Sequence, residues 1–123
     1  MRVTSTSIGL GATALLVFLG APRVPAQDVA VVNAKTVTVK VDNDRVRVME
    51  ATLEPGAKEQ MHSHPAYVIY VVAGGKVRNH SADGTINEVD YQPGNTYYRE
   101  PLTHWAENIG TTTVRLVLVE LKR

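Results

Sequence analysis

The sequence predicts an all-β domain closed into a small barrel of two sheets, on three observations. Segments of alternating apolar and polar residues recur along the chain, with turn signals at spacings of about 8–12 residues. No stretch beyond residue 26 carries a convincing helical period. Glycines fall at the turns, and a His-x-His pair points to a buried histidine cluster. Together these favour a double-sheet barrel over an immunoglobulin-like sandwich.

Val37, Val39 and Val41 alternate with Thr38 and Lys40, which predicts a half-buried strand. Asp42-Asn43-Asp44 is a turn cluster, and Arg45-Val46-Arg47-Val48 resumes the alternation, so the two segments form a hairpin. Glu54-Pro55-Gly56 breaks the chain before the histidine pair. Tyr67 to Val72 is a continuous β-branched and aromatic run, the pattern of a strand covered on both faces. Ala73-Gly74-Gly75 turns it into Lys76-Val77-Arg78-Asn79-His80, and Asp83-Gly84 marks a further hairpin. Pro93-Gly94 closes the next strand, Asn95 to Arg99 is extended, Pro101 ends it, and Thr111 to Leu121 is a long final strand.

With 123 residues there is room for one domain. Residues 1–26 read as a signal peptide. Arg2 precedes an uncharged run from Ile8 to Ala21, and Val24-Pro25-Ala26 offers the small residues of a cleavage site before Gln27. The competing reading is an uncleaved anchor, although Gly, Ser and Thr dilute its apolar character. Residues 27–123 are then the mature domain, periplasmic or secreted. Cleavage removes two of the 13 basic residues, Arg2 and Arg23, leaving 11 against 12 acidic ones. That balance argues against capture of nucleic acid or of an anionic membrane. Export brings no disulfide, because the chain has no cysteine. A domain this small buries only about 60–65% of its unfolded surface, so a metal, a closed barrel or a homodimer contact would add stability.

The chemistry is concentrated in the histidines. His62 and His64 lie two residues apart in Gly56-Ala57-Lys58-Glu59-Gln60-Met61-His62-Ser63-His64-Pro65, and a third, His104, lies far downstream. On a strand, i and i+2 share a face, so the first two can grip one metal ion, and the third can join them from another strand. Without further context such a pair is more often structural or exposed.

Both histidine segments resemble the cupin superfamily. Gly56, five residues, His62-x-His64 and a closing Gly74 match its first motif; Gly94, Pro101, His104 and Asn108 match the second, with Gly94 to His104 about one residue short. Trp105 and Glu107-Asn108-Ile109-Gly110 are also similar to small single-domain bacterial cupins. The resemblance spans Val37 to Leu121 and implies a double-stranded β-helix, the jelly-roll barrel, with pairing of two copies through edge strands. It implies a divalent metal on His62, His64 and His104. The family's glutamate ligand is absent, since Tyr67 or, one register on, Val68 stands there. A three-histidine site without carboxylate is the variant of thiol and diketone dioxygenases, and of members that have lost catalysis.

Three neutral imidazoles leave a divalent ion's charge intact, which attracts an anionic or enolate ligand and leaves coordination positions open. Iron, manganese, zinc, nickel and copper all suit imidazole. Tyr67 could place a phenol where the carboxylate would be, as a proton or hydrogen-bond donor, making it the candidate catalytic residue; plain strand packing is the alternative for it and for Tyr70, Tyr97 and Tyr98. Gln60 shares the face of His62 if the strand is regular, as an outer partner or occasional ligand. Trp105 is pocket wall or core, Arg99 a substrate contact or a solvated arginine, Glu107 a partner of His104 or an exposed loop carboxylate, and His80 an ordinary polar strand residue. The expected activity is that of an oxygenase-like enzyme on a small molecule; the alternative is a non-catalytic binder of a sugar or metabolite.

Overall fold

The computed structural model describes residues 27–123; the signal-peptide reading of residues 1–26 lies outside them. Asp28 caps a single helical turn, α1 (Val29–Val32), its Oδ1 accepting from the Ala30 N–H at 2.8 Å. A helix of four residues is too short to print a period on the sequence. Nine strands follow: β1 (Val37–Asp42), β2 (Val46–Leu53), β3 (His62–His64), β4 (Tyr67–Ala73), β5 (Gly75–Ser81), β6 (Ile86–Tyr91), β7 (Thr96–Arg99), β8 (Leu102–Asn108) and β9 (Val114–Leu121).

Every pairing between them is antiparallel, in two sheets ordered β1-β2-β9-β4-β7 and β3-β8-β5-β6. The architecture is the double-stranded β-helix of the sequence reading. Alternate residues of β2, β4 and β9 supply the inner face of the larger sheet, with Met49, Val71 and Val114 wholly buried. Val77, Tyr91 and Ala106 answer from the smaller one. Each buried Val or Met side chain among them contributes about 1.5–3 kcal/mol. Among the described residues no helix is long and apolar enough to cross a membrane.

Two burial expectations are corrected. In β1 only Val37 is buried, while Val39 and Val41 are 41% and 46% exposed. β1 is an edge strand, and a register shift between Val39 and Val41 turns Val41 to the outer face. β4 is covered on one face only, with Tyr70 and Val72 exposed. Its hydrophobic run is continuous because the outer face of the larger sheet is apolar too. Val41, Val48, Val119, Val68 and Tyr98 are successive register partners and form one row across all five strands.

β8 was not legible as a strand. Its inward positions are His104, Ala106 and Asn108, too small or too polar to print an alternation of apolar residues. Two motif residues hold its neighbourhood together. The buried Asn108 Nδ2 donates to the Leu53 and Thr112 carbonyls at 2.9 and 2.8 Å, and its Oδ1 accepts from the Gly110 N–H at 3.0 Å. At Gly74 a Cβ would sit 2.2 Å from the Tyr91 carbonyl oxygen, so only glycine fits where the two sheets close.

Candidate metal centre

β3 is a three-residue strand, and its register on β8 sets His62 directly opposite His104. His64, two residues on, faces the same way. The three imidazoles are 1%, 5% and 7% exposed for His62, His64 and His104. Ring centroids lie 4.7 Å apart for His62 with each of the others, and 5.5 Å apart for His64 with His104. One nitrogen from each ring lies within 4.8 Å of the others.

Partners on the far side of the rings fix which nitrogen is presented. His62 Nδ1 lies 2.7 Å from the Gln60 carbonyl oxygen and 3.0 Å from Asn33 Nδ2; the shorter contact, to an atom that can only accept, favours the tautomer with the proton on Nδ1 and the lone pair on Nε2. Asn33 locks that carbonyl: its Nδ2 donates to it at 3.2 Å, and its Oδ1 accepts from the Gln60 N–H at 2.7 Å. His64 Nδ1 lies 2.8 Å from Oε1 of the buried Glu120, which leaves its Nε2 free in the same sense. Glu120 is held in turn by Arg47, whose Nη2 is 2.8 Å from Oε2 and whose Nη1 is 2.6 Å from Asp28. Both nitrogens of His104 are buried without any hydrogen-bond partner.

Burial pushes His62 down to about 4, the nearby His64 adding to the effect. Burial, then the facing His62 and His64, push His104 down to about 3. Both are therefore neutral at physiological pH, the state a ligand requires. The rings open onto a cavity of about 40 Å³ lined also by Glu59, Tyr67, Val29 and Ala106. The residues fit a divalent ion on chemical grounds: three imidazoles converge, two have their second nitrogen engaged, and the third has an orphaned lone pair that an ion would satisfy.

The sequence reading found a carboxylate missing at Tyr67; the structure brings one in from elsewhere. Oε2 of Glu59, three residues before His62, reaches 3.7 Å from His62 Nε2 inside the cavity, with its side chain 7% exposed. Burial pushes its carboxyl up to about 7. Tyr67 stacks on His64, centroids 4.4 Å apart at 28°, and burial holds its phenol well above its ordinary value, so it stays a neutral donor. Neither Glu59, Glu120, Asn33 nor Arg47 was singled out from sequence, since their role rests on strand pairing across the barrel and on loop geometry.

Five sequence readings are corrected or refined here. Gln60 is exposed, because regular strand begins only at His62; its backbone, not its side chain, steadies the site. Trp105 and Glu107 alternate with His104 and Ala106 and so face outward. Trp105 stacks on His80 with centroids 3.8 Å apart, and Glu107 lies 3.0 Å from His80 Nε2 and 3.3 Å from Arg78 Nη1. Glu107 therefore does not orient His104, and Trp105 does not wall the pocket. His80, read as an ordinary polar residue, is held in this outer network. Arg99, opposite Tyr67 in the β4–β7 register, does line the barrel mouth.

Fold and site together define a jelly-roll barrel with an inward-facing histidine cluster that could hold a metal ion. A family model described as "Cupin domain" matches residues 49–120, and the chain belongs to the cupin family. No curated protein matches its sequence. Among solved structures it is similar to a cupin domain from Bordetella pertussis Tohama I, with 29% identity and a TM-score of 0.65, covering 71% of this chain and 92% of that one. It shares the fold of an uncharacterised double-stranded β-helix protein from Klebsiella pneumoniae (20% identity, TM-score 0.55, 68% of this chain and 73% of that one). The fold is shared too with a predicted oxalate decarboxylase from Thermotoga maritima (18% identity, TM-score 0.54, 71% of this chain and 79% of that one).

Proposed function

We propose that this cupin holds a divalent metal ion on His62, His64 and His104 and acts as an oxygenase-like, metal-dependent enzyme on a small molecule. The observation that carries the reading is the orphaned pair of buried nitrogens on His104 beside two imidazoles whose second nitrogens are already engaged. Iron, manganese, zinc, nickel and copper all suit this donor set, and the bound ion would supply Lewis acidity or, for a redox-active metal, one-electron chemistry. The chain's own residues do the rest. Glu120 and the Gln60 carbonyl hold the proton on Nδ1 of His64 and His62. Tyr67 offers a phenolic proton from the His64 side of the cavity, and Glu59 a carboxyl group from the His62 side. The apolar lining from Val29, Leu53 and Leu118 excludes water.

Elemental analysis of the purified, metal-reconstituted protein beside the His62→Ala, His64→Ala double variant tests this. One equivalent in the parent and none in the variant supports the site, and oxygen uptake with candidate substrates tests the activity. Metal binding without turnover would favour the alternative, a non-catalytic small-ligand binder, which the lost family glutamate supports. Absence of metal in both proteins overturns the metal reading.

Residues 1–26 are proposed as a cleaved export signal, placing the domain in the periplasm or outside the cell. Gln27 and Asp28 already belong to the fold, the Gln27 carbonyl accepting from the Ser63 N–H at 2.9 Å. An intact mass of the native protein that begins elsewhere than Gln27 would count against it.

A further inference from the structure

The barrel mouth is a second, more open cavity of about 250 Å³ that shares Tyr67, Asn79, Tyr91 and His104 with the metal cavity. At about 30 Å³ per water it has room for some eight waters, or a small organic acid. Its other walls are Ser81, Thr85, Asn87, Leu102 and Arg99, with no carboxylate among them. Arg99 is half-buried and carried on β7, with its Cζ 5.2 Å from the Tyr97 ring centroid. Tyr97 is in turn packed edge-on against Tyr91, so the guanidinium is positioned by a pair of aromatic rings. Arg47 and Arg78 on the same barrel are matched to carboxylates, whereas among the described residues Arg99 forms no ion pair. A half-buried, oriented and uncompensated guanidinium in a pocket of neutral polar groups is a fork for a carboxylate.

We propose that Arg99 anchors the carboxylate of a small organic acid in this mouth, with the remainder of the ligand directed past Tyr67 toward His104. This narrows the substrate class of the proposed metal centre, on which it rests. The charge balance agrees: a dication on the imidazoles and the guanidinium would make the mouth cationic, and the neutral hydrogen-bonding groups of Asn79, Ser81, Thr85 and Asn87 suit the polar body of such an acid.

Calorimetric titration of the purified protein, zinc-loaded and metal-free, with acetate, lactate and malonate, and with lactamide as the neutral counterpart, tests the proposal. At least one of the acids binds the wild type and lactamide binds tenfold or more weakly than lactate. Arg99→Gln weakens the acids by tenfold or more, and Arg99→Lys restores part of the loss. Zinc stoichiometry and melting temperature are unchanged, and Arg115→Gln, on the exposed outer face, is without effect. The proposal is overturned if none of the acids binds, if lactamide binds as well as lactate, or if Arg99→Gln leaves acid affinity intact. Zinc stoichiometry is read independently. A protein that takes up no zinc yet binds acids through Arg99 loses the metal reading and keeps this one; zinc uptake with Arg99-independent binding does the reverse.

Discussion

Replacing Glu120 by Gln isolates the contribution of a residue that never touches the ion. Glu120 is 3% exposed, with Oε1 at 2.8 Å from His64 Nδ1 and Oε2 at 2.8 Å from Arg47. The amide keeps the shape and an accepting oxygen, but it removes the charge that holds the Nδ1 proton of His64 and so fixes its tautomer. Loss of such an outer partner costs about 10–100-fold in metal affinity, or roughly 1.4–2.8 kcal/mol. Stability should fall less than for an ordinary broken buried pair, about 3–5 kcal/mol, because Arg47 retains Asp28 at 2.6 Å. Zinc or cobalt competition against a chromophoric chelator reads the affinity, thermal unfolding of the metal-free form reads the stability, and imidazole ¹⁵N spectra read the tautomer. A variant that binds metal within twofold of wild type while His64 keeps its Nδ1 proton would refute the reasoning and reduce Glu120 to a fold-stabilising residue.

His104→Leu should abolish one-equivalent metal binding and yet raise the stability of the metal-free protein by about 1–3 kcal/mol, since it removes two buried, unpartnered nitrogens; denaturant titration checks both directions. In the metal-free form, His62 at about 4 and His104 at about 3 stay neutral while the unfolded chain protonates below about 6.5, so their stabilisation is complete above pH 6.5 and is lost as pH falls toward 3. Glu59 acts oppositely: raised to about 7, it contributes stability fully present below its ordinary 4.5 and lost as pH rises through 7. Urea midpoints should therefore rise from pH 4.5 and level off near pH 7, where the two histidines and the one carboxyl come into balance, and Glu59→Gln should steepen the rise. Gly74→Ala should cost more than 2 kcal/mol, because a Cβ 2.2 Å from a backbone oxygen forces the sheets apart; a melting temperature within a few degrees of wild type would contradict that geometry.

The residues that print a pattern were legible. Alternation in β1 and β2, the turn at Asp42-Asn43-Asp44 and the glycines at 56, 74 and 94 led to an antiparallel barrel, and the spacing of His62 and His64 put both on one face. Period and turn chemistry are local, so one strand at a time suffices to read them. What the strands face is not local. Tyr67 to Val72 looks buried on both sides because sequence hydrophobicity cannot tell a core from an uncovered apolar face; pairing with β7 and β9 shows one side bare. Trp105 and Glu107 were placed near His104 by adjacency, and the two-residue pleat of β8 sends them to the opposite side of the sheet.

The sequence by itself determined the all-β class, the two histidine segments and the absence of a carboxylate at position 67. Only the tertiary structure decided that His104 stands opposite His62, that Glu120 from the last strand holds His64, and that Glu59 brings a carboxyl group back into the cavity from the approach to β3. The reason is register. Side chains 56 residues apart, such as His64 and Glu120, meet only when two sheets close on each other, and closure is a property of all the pairings together.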